Sequence, residues 1–289
     1  REGFAVQDTL RPDRMVYGLP ADPDAATKAQ EAMDAVYEQI LTSGTPRLLM
    51  DYATAELVKI SANAFLATKI SFINAMSQVC DAAGANVTAL AEAIGMDDRI
   101  GRRFLRAGIG FGGGCLPKDI RAFQARADEL GVGDALTFLA EVDKVNDTMR
   151  AGVIRTVRRL LGDRLARATV TVLGAAFKPD SDDMRNSPAL DLAVELAHLA
   201  KRVVVHDPAA GPILAERSNR PYEVALSARS ALEGTDLVLI GTEWREYRDL
   251  DPAQAADLAR TRYVIDGRNC LDAQAWKAAG WSYRGIGRR

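Results

Sequence analysis

Cysteine and histidine are both scarce in this chain: 289 residues hold three cysteines, Cys80, Cys115 and Cys270, and two histidines, His198 and His206. So few and so scattered, they exclude a disulfide framework and a metal site built on cysteine or histidine. An excess of charge is missing too. With 37 Lys and Arg against 39 Asp and Glu, the total gives no electrostatic case for nucleic acid or an anionic membrane. No apolar run approaches the roughly 20 residues needed to span a bilayer, and no charged-then-apolar leader opens the sequence. A cytoplasmic enzyme is the resulting expectation. Internal repeats and low-complexity tracts are absent. The length suits about two domains with substantial cores. The first residue is Arg1, and REGFAVQDTLRPDRMVYG has no helix or strand start of its own, so the chain reads as the interior of a longer protein.

What is present falls into three stretches. Residues 1–47 contain a strand end at Arg14 to Tyr17 and a helix from Asp24 to Ser43, between Pro23 and Gly44, and read as the last piece of an α/β unit. Residues 48–165 read as helical. A pattern from Asp51 to Ala83 places Leu57, Val58, Phe65, Ile70, Ile73, Met76 and Val79 mostly three or four apart, longer than an ordinary globular helix and suited to joining lobes or subunits. Further helices are predicted over 87–94, 118–130 and 136–161, with no strand from 48 to 165. Residues 166–289 change period. ATVTVLG, RVVVHDP, DLVLIGT and RYVIDGR are short β-branched runs separated by helical stretches such as Ala189 to Ala200, which predicts an α/β domain with a doubly wound, Rossmann-like parallel sheet. Such sheets bind ligands beyond the carboxyl ends of their strands.

The run GIGFGGGCLPKD at 108–119 carries the most chemistry. It reads as a flexible glycine loop that delivers Cys115 beside Lys118 and Asp119, an arrangement suited to a nucleophilic thiolate. Gly108, Gly110 and Gly113 match the G-x-G-x-x-G spacing of a dinucleotide turn, but RRFLRA precedes them instead of a strand and Pro117 follows the cysteine, so that match is rejected. Cys80 lies on an apolar helical stripe, and packing is the better reading for Cys270 as well. Lys59 and Asn63, four apart, share a helix face; from spacing alone a solvated face is the better reading. Lys178 and Arg185 follow the first β-branched run, ahead of a Ser187-Pro188 helix start, and suit a phosphate or pairing with Asp180, Asp182 and Asp183. Asp207-Pro208 reads as a turn. Arg268 follows another strand on the same rim.

Taken in order, REGFAVQDTLRPDRMVYG, AELVKISANAFLATKISFINAMSQVCDAAGANV, IGMDDRIGRRFLRAGIGFGGGCLPKD, VLGAAFKPDSDDMRNSPALD and VIDGRNCLD resemble the UDP-glucose/GDP-mannose dehydrogenase family over nearly the whole chain. The resemblance implies an NAD-binding Rossmann domain of which 1–47 is the remnant, a central helical dimerisation region and a UDP-sugar-binding domain. It implies oxidation of a sugar C6 alcohol to a carboxylate with two NAD, through a thiohemiacetal and a thioester on Cys115. The CLPKD form points to UDP-glucose; GDP-mannose or UDP-N-acetylmannosamine, or a noncatalytic nucleotide-sugar-binding fragment, are the alternatives. By the same resemblance Asp119 orients water, and Lys59 and Asn63 stabilise oxyanions. Arg106, Ala107, Gly108, Ile109, Gly110, Phe111 and Gly112 wrap the substrate, while Lys178 and Arg268 hold it. Arg99 reaches the substrate of a partner subunit in a homodimer. Lys118 and Arg185 approach NAD. The glycine-rich turn of the NAD domain and most of its strands are not in this sequence, so oxidation by this chain alone is not expected.

Overall fold

The computed structural model describes residues 3–288; Arg1, Glu2 and Arg289, including the first two residues of the opening motif, lie outside the described residues. The chain divides into two units, residues 1–65 and 66–289. No helix among the described residues is long and apolar enough to cross a membrane.

The first unit is a small α/β piece: α1 (Ala5–Leu10), β1 (Met15–Leu19), α2 (Pro23–Val36), α3 (Glu38–Thr42) and β2 (Arg47–Asp51). β1 and β2 pair in parallel, with Met15 opposite Arg47, so α2 and α3 form a crossover of the kind parallel strands require. Asp22 starts α2 by accepting from the Ala25 amide, with Pro23 at the first helical position, where a missing N–H costs nothing. Three expectations are corrected here. The opening motif, expected to carry no helix start, forms α1. The helix expected from Asp24 to Ser43 breaks at Tyr37, and β2 runs past residue 48, where no strand was expected. Its sequence, RLLMD, is short and lacks β-branched residues, so nothing separates it from the helix it leads into.

That helix, α4 (Tyr52–Ala83), is continuous over 32 residues. In the second unit its later turns join α5 (Val87–Gly95), α6 (Leu116–Glu129) and α7 (Thr137–Leu161). Ile73, Cys80, Val87, Leu105 and Ala107 form one apolar cluster, which confirms Cys80 as a core residue. α7 buries Leu139, Val142, Asn146, Met149, Val153, Val157 and Leu161 at three- and four-residue steps, the spacing of one helix face.

A six-stranded sheet follows: β3 (Thr169–Leu173), β4 (Arg202–His206), β5 (Glu223–Val224), β6 (Leu237–Ile240), β7 (Tyr263–Asp266) and β8 (Ser282–Gly285). All its pairings are parallel, in the order β5-β4-β3-β6-β7-β8. Counted within the sheet this is the doubly wound order 3-2-1-4-5-6, whose switch point lies between its first and fourth strands, here β3 and β6. Both faces are covered. Val170, Val172, Val205, Leu237 and Leu239 pack with Val153, Val157 and α8 (Pro188–Ala197), and Leu173, Val204, Val238, Ile240 and Val264 pack with Tyr247, Trp276, Trp281 and Tyr283. The four β-branched runs are strands as expected. β5 and β8 escape the pattern, β5 because it is two residues long and β8 because SYRG lacks a β-branched run.

Candidate active site

The loop carrying Cys115 is held at almost every step. The Gly108 amide donates to Asn74 Oδ1 (2.9 Å) and the Ile109 amide to the Gly267 carbonyl (3.0 Å). Asn146 pairs with both backbone groups of Phe111, accepting from its N–H (2.7 Å) and donating to its carbonyl (3.1 Å). The Gly113 amide donates to the Arg185 carbonyl (2.8 Å), and Asn186 Nδ2 donates back to the Gly113 carbonyl (3.1 Å). Residues 107–113 are buried. The glycines therefore serve close packing, not the flexibility expected from the sequence. A Cβ on Gly112 would lie 2.1 Å from the Asn186 carbonyl oxygen, and Gly110 has φ +109° with Asn146 Oδ1 2.7 Å from where its Cβ would stand. Only glycine fits both requirements.

At the end of this fixed loop Cys115 is exposed. It caps α6, its carbonyl accepting from the Asp119 amide (2.8 Å), a position where the helix dipole favours an anion. Asp119, 4% exposed, pairs with Lys118 Nζ at 2.9 Å. Hydrogen bonding and attraction from Asp119 raise the Lys118 pKa above the ordinary lysine value, and Cys115 pulls it weakly the same way. No strand leads directly into Gly108, and α6 opens three residues after Gly113, so this loop lacks the strand-turn-helix context of a dinucleotide turn.

The sheet's own switch-point turn, Gly174-Ala175-Ala176, is closed from within. Asp207 Oδ2 accepts from the Ala175 and Ala176 amides (2.7 and 2.9 Å) and from Trp244 Nε1 (3.1 Å), while Oδ1 accepts from Ala209 and Ala210 (3.0 and 2.8 Å). Asp207 is thus the turn residue expected. Between β3 and α8 lie residues 174–187, whereas a dinucleotide turn opens its helix at once and aims the first amides at the pyrophosphate. The intervening loop instead returns to the cysteine loop. Ser187 Oγ donates to the Ala175 carbonyl (2.6 Å), and Arg185 bonds Asp183 (Nε 2.9 Å, Nη2 2.7 Å) and packs its guanidinium over Gly114. The hydrogen bond from Arg185 holds the Asp183 carboxyl below the usual carboxylate range. The Lys178 ammonium lies 5.6 Å from the Phe177 ring centre.

Arg268 ties these parts together. It donates from Nε to the Gly241 carbonyl (2.8 Å), from Nη1 to Gly110 (2.9 Å) and from Nη2 to Phe177 (3.4 Å), with Glu243 at 3.6 Å and its side chain 13% exposed. It clamps the cysteine loop onto the carboxyl ends of the sheet. Beside it opens a cavity of about 430 Å³ lined in part by Arg102, Arg106, Ala107, Glu243, Arg248 and Cys270. Burial and Asp266 push the Cys270 thiol above its ordinary pKa, which suits packing and not reactivity.

Of the residues expected to form a site, Arg106, Ala107, Gly108, Ile109, Gly110, Phe111, Gly112, Cys115, Lys118, Asp119, Arg185 and Arg268 lie on the elements just described. Arg99 is exposed and bonded to Asp97, at 2.6 Å from Nη2. Lys59 and Asn63 belong to the first unit's part of α4, where Lys59 is exposed and both have interaction partners. Sequence reasoning missed Asn74 and Asn146. The available signal was a polar residue at an apolar position of the helical period: Asn146 falls four after Val142 and three before Met149.

A family model described as the UDP-glucose/GDP-mannose dehydrogenase family, central domain, matches residues 53–148, and the same family's UDP binding domain matches residues 171–273. The chain belongs to the UDP-glucose/GDP-mannose dehydrogenase family. UDP-glucose 6-dehydrogenase TuaD of Bacillus subtilis is 36% identical over 288 residues, covering 100% of this chain and 60% of its own. UDP-glucose 6-dehydrogenase of Pseudomonas aeruginosa is 36% identical over 293 residues, covering 100% of this chain and 63% of its own. Among solved structures, a UDP-glucose dehydrogenase from Pyrobaculum islandicum superimposes with a TM-score of 0.86 at 34% identity, over 100% of this chain and 62% of that one. A UDP-D-ManNAc dehydrogenase from Pyrococcus horikoshii gives 0.80 at 26%, over 99% and 62%. The chain therefore spans about 60% of the length of relatives such as these.

Proposed function

We propose that this chain supplies the reactive thiol and the sugar-nucleotide site of an NAD-dependent UDP-glucose 6-dehydrogenase, which converts UDP-glucose to UDP-glucuronate. The observation that carries the reading is the exposed Cys115 at the end of an otherwise buried, hydrogen-bonded loop, whose other end, at Arg106 and Ala107, lines an arginine-bearing cavity. Relatives named UDP-glucose 6-dehydrogenase at 36% identity support the substrate. NAD would be the oxidant of both two-electron steps. Neither glycine turn among the described residues fits a dinucleotide, so no hydride step is assigned to them.

The chain's own chemistry is covalent. The Cys115 thiolate adds to the C6 aldehyde, forming a C–S bond while the carbonyl oxygen takes a proton; once that carbon has been oxidised to a thioester, water attacks it, the C–S bond breaks and the thiol leaves with a carboxylate product. Asp119 orients that water. Arg106 to Gly112, Lys178 and Arg268 hold the substrate, and Lys118 and Arg185 face the cofactor. Arg99 serves the partner's site in a homodimer. A second reading, a sister enzyme acting on another nucleotide sugar, draws on the likeness to the UDP-D-ManNAc dehydrogenase.

The test is NADH formation by the full-length protein with UDP-glucose, GDP-mannose or UDP-N-acetylmannosamine. UDP-glucose should be preferred, and Cys115→Ser should lower turnover by roughly 10³-fold or more. Preference for another sugar would support the sister reading, and normal turnover in the serine variant would remove the cysteine mechanism.

A further inference from the structure

A second, larger cavity of about 850 Å³ lies in the same unit where late α4, α7 and the edge strand β8 meet. Its polar lining is lopsided, with Arg155, Arg159, Arg284 and Arg288 against one carboxylate, Asp81. Arg155 and Arg159 are one turn apart on α7, so their like charges share a face of the helix. Neither makes an ion pair among the described residues, nor does Arg284. Arg288 is fixed, donating to the Leu271 carbonyl (2.9 Å) and the Tyr283 hydroxyl with Asp266 at 3.7 Å. The chain between Ile286 and Arg288, which both line the cavity, is fixed as well. Gly287, at φ +64°, approaches α4 so closely that a Cβ there would stand 2.6 Å from Ser77 Cβ, and its carbonyl accepts from the Val87 amide (2.9 Å).

We propose that this cavity binds a small anion bearing two or more phosphates. Guanidinium groups present forked donors that match phosphate oxygens, and several of them disposed around one cleft favour a multiply charged ligand over a single phosphate. The volume lies in the range of small-molecule sites. No aromatic side chain is in the lining, which offers Met149, Val153 and Ile265 instead, so a nucleobase would find no stacking surface and recognition falls on the phosphates. The residues are separate from those around Cys115, and the inference does not depend on the reaction proposed there.

Pyrophosphate and orthophosphate, titrated calorimetrically into the 289-residue chain, test it. Pyrophosphate should bind saturably and at least 10-fold more tightly than orthophosphate. The exposed pair Arg155→Ala/Arg159→Ala should weaken pyrophosphate at least 10-fold with an unchanged melting temperature, Arg284→Ala should weaken it less, and Arg106→Ala should leave it intact. Absence of saturable binding, binding unchanged in the Arg155/Arg159 double variant, or binding lost with Arg106→Ala would overturn the proposal.

Discussion

Two glycine turns in the second unit divide between them the features of a dinucleotide site. The loop at 108–114 has the glycine spacing but lies between helices, with no strand leading directly into it. The turn at Gly174 has the right place, at the switch point of a 3-2-1-4-5-6 sheet, but Asp207 takes its amides and α8 starts only after residue 187. Spacing without topology, and topology without free amides, each fall short of a pyrophosphate cradle. The difference shows what each turn does instead. The first presents a thiol, and the second anchors the sheet rim against which the thiol loop is packed.

Removing the Asp207 carboxylate attacks the second turn and should have the larger effect. Asp207→Ala would leave the Ala175, Ala176, Ala209 and Ala210 amides and Trp244 Nε1 without their acceptor, several of them buried. At about 1–3 kcal/mol for each buried orphan, and with some relaxation, the loss should be about 3–5 kcal/mol. Urea unfolding at neutral pH measures it, with the exposed Asp182→Ala as a control expected to shift stability by less than about 0.5 kcal/mol. An equally small loss for Asp207→Ala would mean that the turn does not depend on its acceptor.

Gly112→Ala probes the first turn. The new methyl must displace the Asn186 carbonyl or the loop itself, at a cost of about 1–3 kcal/mol, and UDP affinity should fall roughly 10-fold with it. Calorimetric unfolding together with UDP titration reads both quantities. Unchanged affinity would separate the loop's packing from ligand binding and weaken the comparison.

Much of this was legible in the residues. The β-branched runs around Val170, Val204, Val238 and Val264 marked four strands because strands buried on both faces need continuous apolar sequence. Cys115 stood out because glycines and charge surrounded it. Other features depended on contacts distant in sequence. Arg268 was visible as a rim residue, yet its role as a clamp rests on the Gly110 carbonyl, 158 positions away. Asn74 and Asn146 occupy core positions of helices, where one polar residue hardly disturbs the apolar period. That Asp207 fills the switch-point turn required knowing which strands are neighbours.

The central claim is that this chain carries the sugar-nucleotide half of the site and not the dinucleotide half. Its most direct test is calorimetric titration of the 289-residue chain with UDP and, separately, with NAD. UDP should bind saturably and roughly 10-fold more weakly in Arg268→Ala, and NAD should give no binding heat. Saturable NAD binding that disappears when Gly110 or Gly113 is replaced, or the absence of UDP binding, would contradict the account.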